Sequence, residues 1–175
     1  MRSIWGIGIF LLTLSSLGCH KDNRVELFKM TQVMDFEIKA GLNTLETHFF
    51  LQPAANSAYE AQLELSGFDD DLVASIEPKF SQLSTVFKDA DLDFIRLIEV
   101  RVVDPFDPEF QREVFYLDPV PPNTKNIIRP FPGLNDVREI VSRPTYGIEV
   151  RIVFRFAPPT SYDMRLQMDF SVFGD

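Results

Sequence analysis

The chain has 175 residues but only one cysteine, two histidines and one tryptophan. Each scarcity removes a class of chemistry. One cysteine cannot close an internal disulfide. Zinc sites draw on several thiolate or imidazole ligands, and Cys19, His20 and His48 offer no pair at useful spacing. A histidine acting as general base needs a positioned nucleophile, and no G-x-S-x-G or other nucleophile motif occurs. His48 therefore reads as a half-buried or surface strand residue. Basic charge is also short. Seventeen Lys and Arg against 26 Asp and Glu give a formal net charge of −9. An acidic chain with no basic stripe interleaved with aromatics repels polyanions, so nucleic acid is not expected as a partner. No apolar run approaches the ~20 residues of a transmembrane helix, and there is no internal repeat.

What the chain does have begins at its N-terminus. Arg2 gives a positive start, Ile4 to Leu14 is apolar, and Ser16 and Gly18 are small. That order reads as an export signal. The stretch Leu14-Ser15-Ser16-Leu17-Gly18-Cys19 resembles the lipobox of bacterial lipoproteins, with Ser16 where a leucine usually stands three residues before the cysteine. The resemblance covers only this first segment. It implies cleavage after residue 18 and acylation of Cys19, which becomes the membrane anchor. A lone cysteine at a signal boundary suits that use, since an exposed free thiol is otherwise a liability. No aspartate follows Cys19, so the inner-membrane retention signal is absent. Lys21-Asp22 is similar to the lysine-plus-acid tether of some surface lipoproteins. The expected organisation is a signal over 1–18, a lipid-attached tether over 19–28 and one domain over 29–175, at the outer membrane or cell surface.

That domain reads as all-β. Seventeen phenylalanines and 45% apolar content supply a core. Apolar and polar residues alternate around Met34–Ile38, and the pattern predicts a strand over 44–51 with Leu45, Thr47, Phe49 and Leu51 on one face. Pro53 should end it. Residues 57–66 suit a short helix, with Ser57 and Glu60 as a capping box and Gly67 as the C-cap. Two short strands, 73–76 and 80–87, are expected on either side of Pro78. Further strands are expected over 94–102, 113–117 and 127–131, and a second short helix over 135–142. The clearest alternation lies in 148–156 and 164–172, and the five residues 157–161 suit a hairpin between them. Together these predict an antiparallel β-sandwich, immunoglobulin-like or C2-like, with one or two short helices.

Two groups of residues could bind something. Asp89, Asp91 and Asp93 alternate before a strand and are candidate calcium ligands. The EF-hand pattern fails, because Phe94 stands at the glycine position and Val100 at the bidentate glutamate. Asp104 and Asp107 follow that same strand, ~30 Å away at its other end, and cannot join them. Acids in turns that block edge pairing are the plainer account of these loops. The second group is aromatic. Phe106, Phe110, Phe131 and Tyr146 lie near proline-rich segments and would form an apolar or sugar-stacking patch if exposed, or core plugs if not. Paired carboxylates acting on an envelope substrate are a third reading, with no pair singled out. The sequence thus leads to a non-catalytic envelope lipoprotein domain that binds a protein or glycan. A calcium-dependent binding module is the alternative.

Overall fold

Side chains along a strand point alternately to opposite faces, and that period decides this fold. In the strand Tyr162–Gly174 (β9), Met164, Leu166, Met168, Phe170 and Val172 are buried while Asp163 and Arg165 face solvent. Met30, Met34 and Ile38 are buried in the same way in Val25–Ile38 (β1), as are Ile148, Val150, Ile152 and Phe154 in Thr145–Phe154 (β8). The computed structural model describes residues 24–87 and 90–174, which form two antiparallel sheets packed face to face. The fold is an all-β sandwich, as expected. One sheet joins β1, β9, Val73–Thr85 (β3) and Ile127–Ile128 (β6), in that order. The other joins His48–Asn56 (β2), β8, Ile95–Val103 (β4), Gln111–Leu117 (β5) and Phe131–Pro132 (β7). Aromatic pairs bridge the sheets: Phe36 meets Phe50 at 4.6 Å and Phe115 meets Phe170 at 6.1 Å between ring centroids.

Two short helices close one end of the sandwich: Tyr59–Ser66 (α1) and Arg138–Val141 (α2). Gly67 ends α1 at φ 72°, a left-handed conformation that glycine adopts without steric cost. The capping box does not form. Ser57 Oγ instead accepts from Tyr59 N at 3.1 Å and donates to the Val141 carbonyl at 2.6 Å. The second helix is a single turn, shorter than expected, yet it ties several loops. Arg143, just past α2, pairs both nitrogens with the buried Asp104 carboxylate, at 2.9 Å each. Arg138 donates to the Asp70 carbonyl and carboxylate, both at 3.1 Å, and to the Val73 carbonyl.

Several expectations are corrected. The segments 148–156 and 164–172 are not a hairpin: β8 and β9 belong to different sheets, and residues 155–161 cross between them. Strand β1 begins at Val25, inside the stretch expected as tether. Strand β2 starts at His48 and runs through Pro53, with a register shift between Gln52 and Ala55. Its more apolar face looks outward. Phe50 packs inward and His48 lies on Phe154 at 4.9 Å, while Leu45, Phe49 and Leu51 are exposed. Strand β3 is continuous across Pro78, with a register shift there. Pro78 is tolerated because β6 pairs only with Leu83 and Ser84, leaving the proline's outer side unladdered. Nearby, the Ile76 N–H donates to Asp136 Oδ1 at 2.9 Å and the Ile76 carbonyl accepts from Val137 N at 2.9 Å. The expected strand 127–131 is two bridges, one to each sheet: Leu83 and Ser84 pair with β6, and Phe115 and Tyr116 with β7. The export signal and Cys19 lie outside the described residues.

Candidate functional site

The outer faces of the two sheets differ. On the four-stranded sheet, the register sets Asp35, Arg165 and Ser84 in one row and Val33, Gln167 and Gln82 in the next. Polar side chains predominate on that face, with Val33, Phe80 and Phe173 among them. On the five-stranded sheet, one row runs through all five strands: Phe49, Arg151, Glu99, Tyr116 and Phe131. The next row holds Leu51, Glu149, Arg101 and Glu113. Charges occupy the middle and apolar side chains the two edges. Phe49 is 54% exposed and Phe131 69%.

The central charges neutralise one another. Arg151 pairs with Glu149 and lies 3.7 Å from Glu99; Arg101 pairs with Glu99 and donates to Gln111 at 3.0 Å. Arg151 also sits over the exposed Phe49 ring at 5.3 Å, a cation–π contact. Every carboxylate in this grid has an arginine beside it: Glu99 and Glu149 in ion pairs, and Glu113 across the strand pair from Arg101.

Beyond the Tyr116–Phe131 edge the surface opens into a cleft of about 630 Å³. One wall is the loop carrying Asp118, Pro119, Pro121 and Thr124, and the other is the segment Ile127, Ile128, Arg129 and Phe131. Each proline fixes φ and removes a donor, so that wall is stiff and offers few N–H groups. The Asp118–Pro119 peptide is cis. Tyr116 Oη lies 3.4 Å from Asp118 Oδ2, and partial burial beside that carboxylate raises the phenol above its usual range. The cleft can therefore take an apolar or ring-bearing group against Leu117, the prolines and Phe131. Polar contacts are available from Arg129, Asp118 and Thr124.

The aromatic residues singled out from sequence do not form one patch. Phe131 lines the cleft. Phe106 is 84% exposed on the loop between β4 and β5, at the far end of β5 from Phe131. Phe110 is half-buried under the Arg112 guanidinium, 4.6 Å from its ring centroid. Tyr146 is only 2% exposed and belongs to the core, where burial raises its phenol pKa, so no partner can reach it. Phe49, Leu51 and Tyr116 were not foreseen. Alternation divides β2 into two faces, and hydropathy picks the wrong one, since Phe49 and Leu51 outrank His48 and Gln52.

Of the expected calcium ligands, Asp89 lies outside the described residues. Asp91 Oδ1 accepts from Asp93 N at 3.0 Å, and Asp93 Oδ1 accepts from Asn123 N at 2.9 Å and from Arg155 at 2.7 Å. Both carboxylates brace the loop. Among the described residues, no three His, Cys, Asp or Glu side chains gather as a metal site would require. Asp93 and Asp104 do sit at opposite ends of β4. No helix among the described residues is long and apolar enough to cross a membrane. No protein-family model matches the chain, and no curated protein or solved structure is detectably similar to it.

Proposed function

We propose that this protein is a non-catalytic, lipid-anchored domain of the bacterial envelope that binds a protein or glycan partner through the five-stranded sheet. The observation that carries the reading is the cleft between Pro119–Pro121 and Ile127–Phe131, opening beside the exposed Tyr116 and Phe131 rings. A stiff apolar wall with a few polar groups at its rim is what a sugar ring or an aromatic side chain needs for stacking and orientation. The anchor rests on the signal order and on Cys19. The absence of a nucleophile motif and the arginine-paired carboxylates of the outer face support binding over turnover.

The test is photocrosslinking in intact cells from a benzophenone side chain at residue 131, with the same group at Val33 on the polar face as the control. The proposal expects a discrete adduct from residue 131 and none from residue 33; mass spectrometry tells a protein from a glycan. Equal capture from both faces would refute a specific site. So would turnover of a defined envelope substrate by the purified chain, abolished by one carboxylate substitution.

A further inference from the structure

We propose that the end of the sandwich at which β1 begins rests on a lipid bilayer and dips exposed apolar side chains into its interface. This deepens the function proposed above and rests on its assignment of Cys19 as the lipid anchor.

Val25 lies opposite Gly174, which in turn lies opposite Val73, so the chain enters the fold at this end. Three connections cover it: residues 57–72 with α1, residues 104–110 between β4 and β5, and residues 133–144 with α2. Val25, Leu65, Phe68, Leu72, Phe106 and Leu134 are exposed there. These side chains stand on braced backbone. Arg138 holds Asp70 and Val73, Arg143 holds Asp104, and Ser57 ties the start of α1 to Val141. Gly174 admits the Leu72 carbonyl so closely that a Cβ there would lie 2.9 Å from its oxygen. A surface held this way loses little conformational freedom when it meets a partner.

Tether length selects the bilayer as that partner. Cys19 and Val25 are six residues apart, at most ~22 Å when fully extended. An acylated Cys19 keeps this end close to the headgroups. The opposite end also carries exposed apolar residues, Leu45 and Phe87, but it is removed by the length of β1, ~45 Å. Exposed Asp69, Asp71, Asp107 and Glu109 surround the apolar tips. They would be repelled by anionic lipid, so the surface they fit is zwitterionic.

Trp5 lies in the signal, so the mature chain has no tryptophan and an introduced one reports alone. Leu65→Trp and Leu45→Trp are both at exposed positions, where folding tolerates the change. Each full acylated chain is reconstituted into phosphatidylcholine vesicles with brominated acyl chains, and the mass of the N-terminal peptide reports acylation separately. The proposal expects emission from Leu65→Trp to be quenched at least twofold and blue-shifted, with Leu45→Trp unchanged. Absence of quenching at residue 65 in a chain of confirmed acylated mass overturns the bilayer contact and leaves the anchor standing. Equal quenching at both positions overturns the orientation. An exported chain with unmodified Cys19 overturns the anchor, and the orientation with it. Phe106→Trp gives an independent reading from a second loop.

Discussion

Arg155 closes on Asp93 from the far end of β8, its Nη1 2.7 Å from Asp93 Oδ1, while its Nη2 donates to the Val120 carbonyl at 2.7 Å. Nη1 also reaches the Asp93 carbonyl, at 2.6 Å. One guanidinium thus ties the start of β4 to the proline-rich wall of the cleft and to the crossing between the sheets.

Removing that guanidinium takes a donor from two carbonyls and from the Asp93 carboxylate, which keeps only the Asn123 N–H. Arg155→Ala should lower the unfolding free energy by roughly 1–3 kcal/mol, read from urea denaturation. Arg155→Lys should recover only part of the loss, because an ammonium cannot fork across acceptors as a guanidinium does. A full recovery would mean that charge alone, and not the fork, holds the loop.

The same pairing bears on calcium. With Asp93 taken up by Arg155 and Asn123, excess calcium should leave the melting temperature where chelator leaves it. A ligand at 100 times its dissociation constant adds ~2.7 kcal/mol, roughly 5–11 °C for a domain of this size. A rise of that order would show that the acidic loop opens to take the ion.

Asp104 is buried, and Arg143 is its charge partner. Arg143→Ala should be costlier than an ordinary surface change, roughly 2–4 kcal/mol, because an unpaired buried carboxylate remains. The guanidinium's partial exposure keeps the figure below that of a fully enclosed pair. Asp104→Asn should cost less than Arg143→Ala, since the charge it leaves unpaired, the Arg143 guanidinium, is partly exposed and not buried. The opposite order in chemical denaturation would contradict the brace.

All four tyrosines are shifted upward. Burial and a hydrogen bond to Asp70 push the Tyr59 phenol up to about 12, and burial raises Tyr146 further. A phenol whose folded pKa exceeds its unfolded value of ~10 keeps its full contribution below pH 10 and loses it as pH rises through the folded value. Absorbance at alkaline pH should therefore show Tyr59 and Tyr146 still protonated at pH 10, then a steep rise as the fold opens. A smooth four-tyrosine titration centred near 10 in the folded protein would contradict this. At the acid limit the sign reverses. A hydrogen bond from Arg165 lowers Asp35 and one from Ser171 lowers Glu26, so their contributions persist until pH falls below the usual carboxylate range.

The strands of this protein were legible in its sequence, but their partners were not. Alternation in 148–156 and 164–172 marks both strands and their buried faces. It carries no information on which sheet each joins, and a five-residue connection suits a hairpin as well as a crossing between layers. Pro78 misled for a related reason: proline breaks a ladder only on its own side, and whether that side is paired is a property of the whole sheet. Of the candidate site, Phe131 was found because it stands beside stiff proline-rich chain. Tyr116 and Phe49 were missed because an aromatic in an alternating strand looks like core. Only the register between strands reveals the row they share.

The segment from Ile127 to Pro132 bonds first to one sheet and then to the other, and its side chains line the cleft. It acts as a clasp across the seam. Anything lodged against it would grip both layers at once, so occupancy of the cleft would be transmitted to the whole sandwich and not to one loop. A partner binding there would also be a stabiliser of the fold, and resistance to unfolding would report its presence before its identity is known.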